Sequence, residues 1–395
     1  MKLFFALGSF YPAQTGGADN SAYWMVRALA KKGHQVSVAT TNSGLKPGDV
    51  EFDRWKPTEF GEVVYVRTLI HYLPLRLFWY SLRRALRADV VHLNAVFYPI
   101  SILLGYACAL AGKRVVWSVH GELAPEALRY SPRRKKIFLA LLGFIKHRAV
   151  FHATSPKEAG YVRQVLGASV RVKVIPLFLE LPPRETRQTG QPYLLFVGRL
   201  HTVKALDRLF DALAAVPEFR TGGWHLKVVG IGEPEYEKAL REQVNQLGLT
   251  DRVQFLGFRA GEEKYRLMAS ARATVLPSHT ENFSVIVVES LSQGTPVLAS
   301  IHTPWEILEE TGAGWWTDNQ VPVLASALQN VIKLDEAACD AYRDRAYRLA
   351  TEHFDIKRHI GEWTTLYDQV SRGLPVSAES SADGSSAVRK KQPVV

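Results

Sequence analysis

The chain is 395 residues long, 47% hydrophobic and 22% charged, an ordinary globular composition, and its length predicts two α/β domains of under 200 residues each rather than one core. Two cysteines far apart, Cys108 and Cys339, exclude a disulfide framework and fit two buried free thiols in a reducing compartment, and no apolar run approaches the about eighteen residues of a membrane span. The net charge of +11 is uneven: residues 1–178 hold 25 Lys and Arg against 10 Asp and Glu, the remainder 24 against 28, so the first half is expected to meet an anionic partner, with nucleic acid or a membrane surface as candidates.

Residues 2–7 are apolar and read as a first strand; the run is too short for a signal-peptide core and no small-residue cleavage site follows. Residues 8–19 form a Gly-rich loop, 20–32 carry apolar residues at helical spacing, and 35–40 close a βαβ unit. Gly16 and Gly17, just before the helix, suit either a structural turn or close approach of backbone to a phosphate or sugar; no G-x-G-x-x-G is present. Residues 63–67, 88–93 and 114–119 are further strands, and 75–87 a basic amphipathic segment. The strand at 114–119 ends at His120-Gly121-Glu122, and Asn94 occupies the equivalent end of the strand before it. By itself His120 reads as a local hydrogen-bonding residue.

Residues 131–150 open with Arg133, Arg134, Lys135 and Lys136 and continue apolar. Two readings stand: a core helix with a solvated basic turn, or an interfacial surface on anionic headgroups. A membrane is the better partner than nucleic acid, since the basic segments lack aromatic interleaving and no nucleic-acid module is present. Strands at 151–154 and 172–175 end this half, and 176–190 is the linker.

The second half begins with a strand at 193–197, a turn carrying Arg199 and Lys204, and a helix at 205–215. Two cations five apart on a loop leaving a strand can neutralise the phosphates of a nucleotide diphosphate from different directions. Strands follow at 226–229 and 253–256, the latter leading into Gly257-Phe258-Arg259. A strand ending at Pro277, a crossover helix over 282–292 and a strand at 297–299 then place Glu281 at a loop-to-helix junction and Glu289 further along. The amides of Asn282, Phe283 and Ser284 would face an anion at that helix start. Trp305 and residues 312–316 read as aromatic packing; helices fill 321–350 and 355–372, and 376–395 reads as a disordered tail.

The run ENFSVIVVE from Glu281 to Glu289 resembles the E-x7-E motif of the retaining GT-B glycosyltransferases of family 4. The likeness is specific over 193–300 and weaker before it; Ser284 departs from it, a Gly being more usual there. It implies a fold of two Rossmann-like, doubly wound parallel-sheet domains facing a central cleft. An acceptor-side domain of 1–178 would be joined by a returning helix at 355–373, with a nucleotide-sugar domain at 179–354. It also implies roles: Glu281 and His120 near the transferred sugar, Glu289 on the ribose, and Arg259 beside the base. The Gly16-Gly17 loop, Arg199, Lys204 and the amides of Asn282, Phe283 and Ser284 would hold the diphosphate.

If the residues between the two glutamates were helical, eight steps would separate their backbones by about 12 Å. Two tasks at two ends of a donor fit them better than a glycosidase pair, whose carboxyls flank one bond at about 5–10 Å. The expected reaction is retaining transfer of a sugar from a UDP- or GDP-linked donor to a glycan or lipid-linked glycan, in bacterial surface polysaccharide or lipopolysaccharide assembly. No metal and no cofactor besides that donor substrate is expected, and the location is cytoplasmic or peripheral at the inner face of a membrane. A GT-B nucleotide-sugar epimerase and a non-enzymatic two-domain sugar-binding protein are the alternatives.

Overall fold

The computed structural model describes residues 1–13, 17–46, 48–68 and 75–376. The chain divides into two compact units, Met1–Phe178 together with the chain from His359 onward, and Leu179–Arg358. The N-terminal unit holds β1 (Lys2–Ala6), β2 (Gln35–Thr41), β3 (Lys56–Thr58), β4 (Gly61–Val66), β5 (Val90–Asn94), β6 (Val115–Ser118), β7 (Ala149–Ala153) and β8 (Arg171–Val174). They form one sheet in the order β3-β4-β2-β1-β5-β6-β7-β8, parallel except where β3 pairs with β4. The C-terminal unit holds β9 (Tyr193–Val197), β10 (His225–Val229), β11 (Val253–Gly257), β12 (Ala273–Leu276), β13 (Val297–Ser300) and β14 (Gly314–Thr317), all parallel, in the order β11-β10-β9-β12-β13-β14.

Both orders are doubly wound, and this explains the strand sequences. Helices cover both faces, so central strands such as Tyr193–Val197 are buried at every position and read as apolar runs rather than alternating ones. The order also reverses once in each sheet, between β1 and β5 and between β9 and β12, and such switch points are where open parallel sheets admit ligands beyond their carboxyl ends. Among the described residues two strands escaped the sequence pattern. The three residues of β3, Lys-Pro-Thr, are exposed throughout; β14 carries Trp315 and Trp316, whose expected aromatic packing does occur, Trp315 stacking on Tyr342 at 4.5 Å.

The final helix, Ile356–Arg372, closes the N-terminal core with Trp363 and Tyr367. Tyr367 OH bonds His92 Nδ1 at 2.7 Å, His92 Nε2 meets Ser118 Oγ at 2.7 Å, Ser118 Oγ meets His152 Nδ1 at 2.7 Å, and His152 Nε2 meets the Ile175 carbonyl at 2.7 Å. The carbonyl accepts only, so His152 carries its proton on Nε2, and the rest of the chain of donors follows in order. Burial holds His92 well below the usual histidine range and His152 at about 3, so both rings are neutral. Both cysteines are buried and free. The Ser-rich segment beyond residue 376 lies outside the described residues.

Candidate functional site

In the C-terminal unit the loops leaving β9 and β12 flank the switch point. The loop Gly198–Leu200 lies directly on the end of β10: Gly198 N donates to the Val229 carbonyl and Leu200 N to that of Ile231, both at 2.9 Å. A Cβ on Gly230 would sit 1.8 Å from the Gly198 carbonyl oxygen and one on Gly232 2.2 Å from that of Leu200, so only glycine permits the approach. A 3₁₀ turn, Thr202–Lys204, then presents Lys204. Its ammonium is ion-paired with Glu281 Oε1, which also accepts from Ser278 Oγ at 2.8 Å. His279 N donates to the Val203 carbonyl at 2.8 Å, and Asn319 Nδ2 donates to the Pro277 carbonyl at 2.8 Å, so the two loops are tied together by backbone. Arg199 is exposed and makes no ion pair with any described residue.

The crossover helix starts later than its sequence suggests. It spans Val285–Ser292, with Ser284 as its N-cap at φ 72° and ψ 89°, a left-handed backbone that an α-helix does not contain. Asn282 and Phe283 therefore precede the helix, and the amides left without intrahelical partners in its first turn belong to Val285 and Ile286, beside Ser284. Phe283 turns inward, packing on Trp305 with ring centroids 5.1 Å apart while its carbonyl accepts from Trp305 Nε1. The expected aromatic role of Trp305 is thus to anchor the loop that carries Glu281.

Glu289 is 3% exposed. Its Oε1 receives Lys264 Nζ at 2.7 Å and Tyr265 OH at 3.3 Å, whereas Oε2 is buried with no partner among the described residues. A buried carboxylate oxygen without a donor costs about 1–3 kcal/mol, so this atom is half of an unfinished interaction. Burial, and next the Glu289 charge, push the Tyr265 hydroxyl above its ordinary range, keeping it a donor. Neither Lys264 nor Tyr265 was singled out from sequence. The available signal was that Lys264 lies one helical turn before the buried Met268 on the helix Gly261–Ser270. Arg259 is held elsewhere, on the loop after β11, by Glu263 at 2.6 Å and the Phe258 carbonyl at 2.9 Å.

In the N-terminal unit, β5 ends at Asn94 and β6 at Ser118, and two residues past the end of β6 the chain reaches His120, which adopts φ 53°. His120 Nε2 meets Asn94 Oδ1 at 2.9 Å, which puts the proton on Nε2 and leaves Nδ1 a bare acceptor. Nδ1 of His120 and Nδ2 of Asn94 are both buried without a partner among the described residues. Burial lowers the His120 pKa to about 4, so the ring is neutral near pH 7. Two carboxylates shape this corner: the half-buried Glu122 accepts from the amides of Val96 and Phe97, and the buried Glu158 from the amides of Gly121 and Thr154. Gly17 opens the first helix, Gly17–Lys31, and Gly16 lies outside the described residues.

The basic segment forms the helix Pro132–Ile145, and it divides the two readings offered for it. Leu142 and Ile145 are buried, and Lys135 turns inward over the Phe97 ring at 4.9 Å. Arg133 and Lys136 are exposed, as are Ile137 at 62%, Leu141 at 40% and Phe144 at 82%, which share one face at i, i+4 and i+7. No described helix is long and apolar enough to cross a membrane.

Two doubly wound parallel sheets with polar side chains gathered beyond the carboxyl ends of their strands match a class, the GT-B proteins, and solved structures agree. Sucrose-phosphate synthase of Thermosynechococcus elongatus matches with a TM-score of 0.75 at 20% identity, over 94% of this chain and 99% of that one. Anabaena HepE in complex with UDP and glucose matches at 0.72 and 21%, over 93% and 100%. The family follows from sequence: the profile of Glycosyl transferases group 1 matches residues 179–349 and that of Glycosyltransferase Family 4 residues 15–181. The chain belongs to the family 4 glycosyltransferases.

D-inositol 3-phosphate glycosyltransferase of Nocardia farcinica is 34% identical over 116 residues, 28% of this chain; the match spans about a quarter of that relative, 26% of its length. Longer matches are to GDP-mannose:cellobiosyl-diphosphopolyprenol alpha-mannosyltransferase of Xanthomonas campestris, 27% identical over 74% of this chain and 77% of that one, and to O-antigen chain mannosyltransferase C of Escherichia coli, 24% identical over 93% and 98%.

Proposed function

We propose that this glycosyltransferase moves a sugar, with retention, from a nucleoside-diphosphate sugar to a glycan or lipid-linked glycan of a bacterial surface polysaccharide. The observation that carries the reading is the half-satisfied Glu289: Oε1 is fixed by Lys264 and Tyr265, and the buried Oε2 wants a donor such as a ribose hydroxyl. The diphosphate would lie against Arg199, Lys204 and the amides of Ser284, Val285 and Ile286. The Lys204 ammonium has three donors, so it can receive a phosphate oxygen while keeping Glu281. In the N-terminal unit, His120 Nδ1 and Asn94 Nδ2 offer one acceptor and one donor, the complement of a sugar hydroxyl.

In the proposed reaction the bond from the anomeric carbon to the phosphate oxygen breaks as the acceptor oxygen bonds to the same face, and the acceptor proton passes to the departing diphosphate. Charge grows on the diphosphate, so fixed cations and amides there lower the barrier without a metal, each such donor contributing on the order of 10²- to 10³-fold. GDP-mannose is the first donor to try, because the two long-coverage relatives carry mannosyltransferase names. The exposed face of the helix Pro132–Ile145 supports peripheral attachment to an anionic membrane, where a lipid-linked acceptor would reside.

A thermal-shift series with GDP-mannose, UDP-glucose and ADP-glucose tests the reading, since a ligand bound only by the native state raises its melting temperature. One nucleotide sugar should stabilise strongly and the free sugar should not, and NMR of the product should show the donor's anomeric configuration. Equal stabilisation by free sugar would point to a sugar-binding protein; conversion of the donor without acceptor would point to an epimerase.

A further inference from the structure

At the opposite end of the N-terminal sheet from His120, where β1, β2 and β4 begin, a cavity of about 940 Å³ is open to solvent. The helix Leu75–Arg87 forms one wall and contributes Trp79, Arg83, Arg84 and Arg87; Lys2 and Trp55 lie opposite. Its charges are not alike. Arg84 is engaged, bonded to Glu62 through both terminal nitrogens and lying over the Trp55 ring at 4.6 Å. Arg83, Arg87 and the Lys2 ammonium make no ion pair with any described residue, and Asp89 accepts from the Lys2 backbone amide at 2.7 Å. Arg83 and Arg87 are one helical turn apart and so project to the same side.

The same stripe continues in the other direction with apolar residues. Leu75 and Trp79, at i−8 and i−4 from Arg83, are 49% and 69% exposed. Trp79 meets the Phe78 ring edge-on at 5.6 Å and leaves most of its indole in water beside these cations, and the pair matches a ligand that is anionic at one end and apolar at the other. We infer that this cavity binds the phosphate headgroup of an anionic phospholipid, with Arg83, Arg87 and Lys2 on the phosphate and Trp79 and Leu75 against the start of the acyl region. Arginine suits the task because its fork meets two phosphate oxygens at once. The inference rests on the peripheral-membrane reading above, and adds to it a built headgroup site separate from the exposed face of Pro132–Ile145.

The probe is dihexanoylphosphatidylglycerol below its micelle concentration, titrated into the full chain and followed by calorimetry. Saturable binding is expected, weakened at least tenfold in R83A/R87A and several-fold in W79A, with the R133A/K136A protein unchanged. Both arginines are exposed and unpaired, so the double variant should fold as the parent does. Equal affinity for inorganic phosphate would make the cavity a free-phosphate site and overturn the lipid assignment, as would an unaltered R83A/R87A titration. Sedimentation with phosphatidylglycerol vesicles separates the two readings. A chain that binds the soluble lipid through Arg83 and Arg87 but ignores vesicles keeps the headgroup site and loses the membrane reading. One that sediments while R83A/R87A leaves the soluble-lipid affinity intact does the reverse.

Discussion

Beyond β5 and β6, His120 and Asn94 are neutral and each keeps one buried polar atom without a partner among the described residues, whereas beyond β9 and β12 Lys204 and Glu281 have already met as an ion pair. The two units place residues at the same structural position, the carboxyl end of a doubly wound sheet, and equip it for different ligands. Orphaned neutral donors and acceptors in a dry corner favour hydroxyls, since a charge brought there would face the desolvation that already lowers the His120 pKa. A lysine held in place by a carboxylate, with exposed Arg199 on the same loop, favours a diphosphate. The C-terminal unit would supply charge and the N-terminal unit hydrogen-bond selectivity.

The largest expected effect comes from removing the charge. Lys204→Ala should lower kcat/KM by about 10² to 10³ or more if the proposed diphosphate site is right, because it would delete the cation beside the leaving group and free the Glu281 carboxylate to repel it. His120→Ala, by contrast, should change the discrimination between donor sugars more than the affinity for the bare nucleotide diphosphate. If both variants lost nucleotide-diphosphate affinity equally in a titration, the division of labour would be wrong.

Glu289 sharpens the contrast inside the C-terminal unit. Glu289→Gln keeps the shape but halves the acceptor capacity offered to a ribose, and should weaken nucleotide binding about 10- to 100-fold by calorimetry, or roughly 1.5–3 kcal/mol. It should also lower the melting temperature of the free protein, since the Lys264 ammonium, 15% exposed, loses its counter-charge. Retained nucleotide affinity with lowered stability would reduce Glu289 to a structural ion pair.

The buried histidines set a pH difference between the units. His120 at about 4, His152 at about 3 and His92 lower than usual are neutral in the folded N-terminal unit, while an unfolded chain takes up protons below about pH 6.5. The folded pKa values are depressed, so this stability is complete above about pH 6.5 and is lost as pH falls toward them, by about 1.4 kcal/mol per pH unit for each histidine. Glu122 and Glu158, whose pKa values burial raises, act in the opposite sense. Urea unfolding at pH 7.5, 6.5 and 5.5 should show the N-terminal unit failing first, with a shallower pH slope in His152→Gln. A C-terminal unit that failed first would contradict the account.

Much of this was legible in the sequence because apolar runs and turn residues are local signals. The strand Tyr193–Val197 is bounded as its pattern predicts, and ENFSVIVVE marks both glutamates. What was not legible depends on contacts between distant residues. That Lys264 and Tyr265 grip Glu289, that Asn319 ties down Pro277, and that Trp305 anchors Phe283 are pairings across 22 to 42 positions with no periodicity to announce them. The helix start at Val285 was missed for a related reason: Ser284 carries a backbone that its side chain disfavours, and a propensity reading assigns such a residue to the helix.

That backbone supplies the smallest prediction and the last comparison between the units. His120 at φ 53° and Ser284 at φ 72° both sit in the left-handed region at the point where a strand's chain turns toward its site. Such a conformation costs a non-glycine residue about 1 kcal/mol, which persists only if something else is gained. For His120 the gain is the imidazole, hydrogen-bonded to Asn94, so His120→Gly should relieve the strain and still lose turnover. For Ser284 no hydroxyl contact to its own helix is made, the N-cap side chain accepting no bond from the first turn. Ser284→Gly should therefore raise the melting temperature of its unit by about 1–3 °C, since relief of strain is partly offset by the greater freedom of glycine in the unfolded chain. Its donor affinity should stay within about twofold, because only the backbone N–H is asked to meet the diphosphate. A tenfold loss of donor affinity in Ser284→Gly would show that the hydroxyl itself holds the ligand, making Ser284 the counterpart of His120 rather than its contrast.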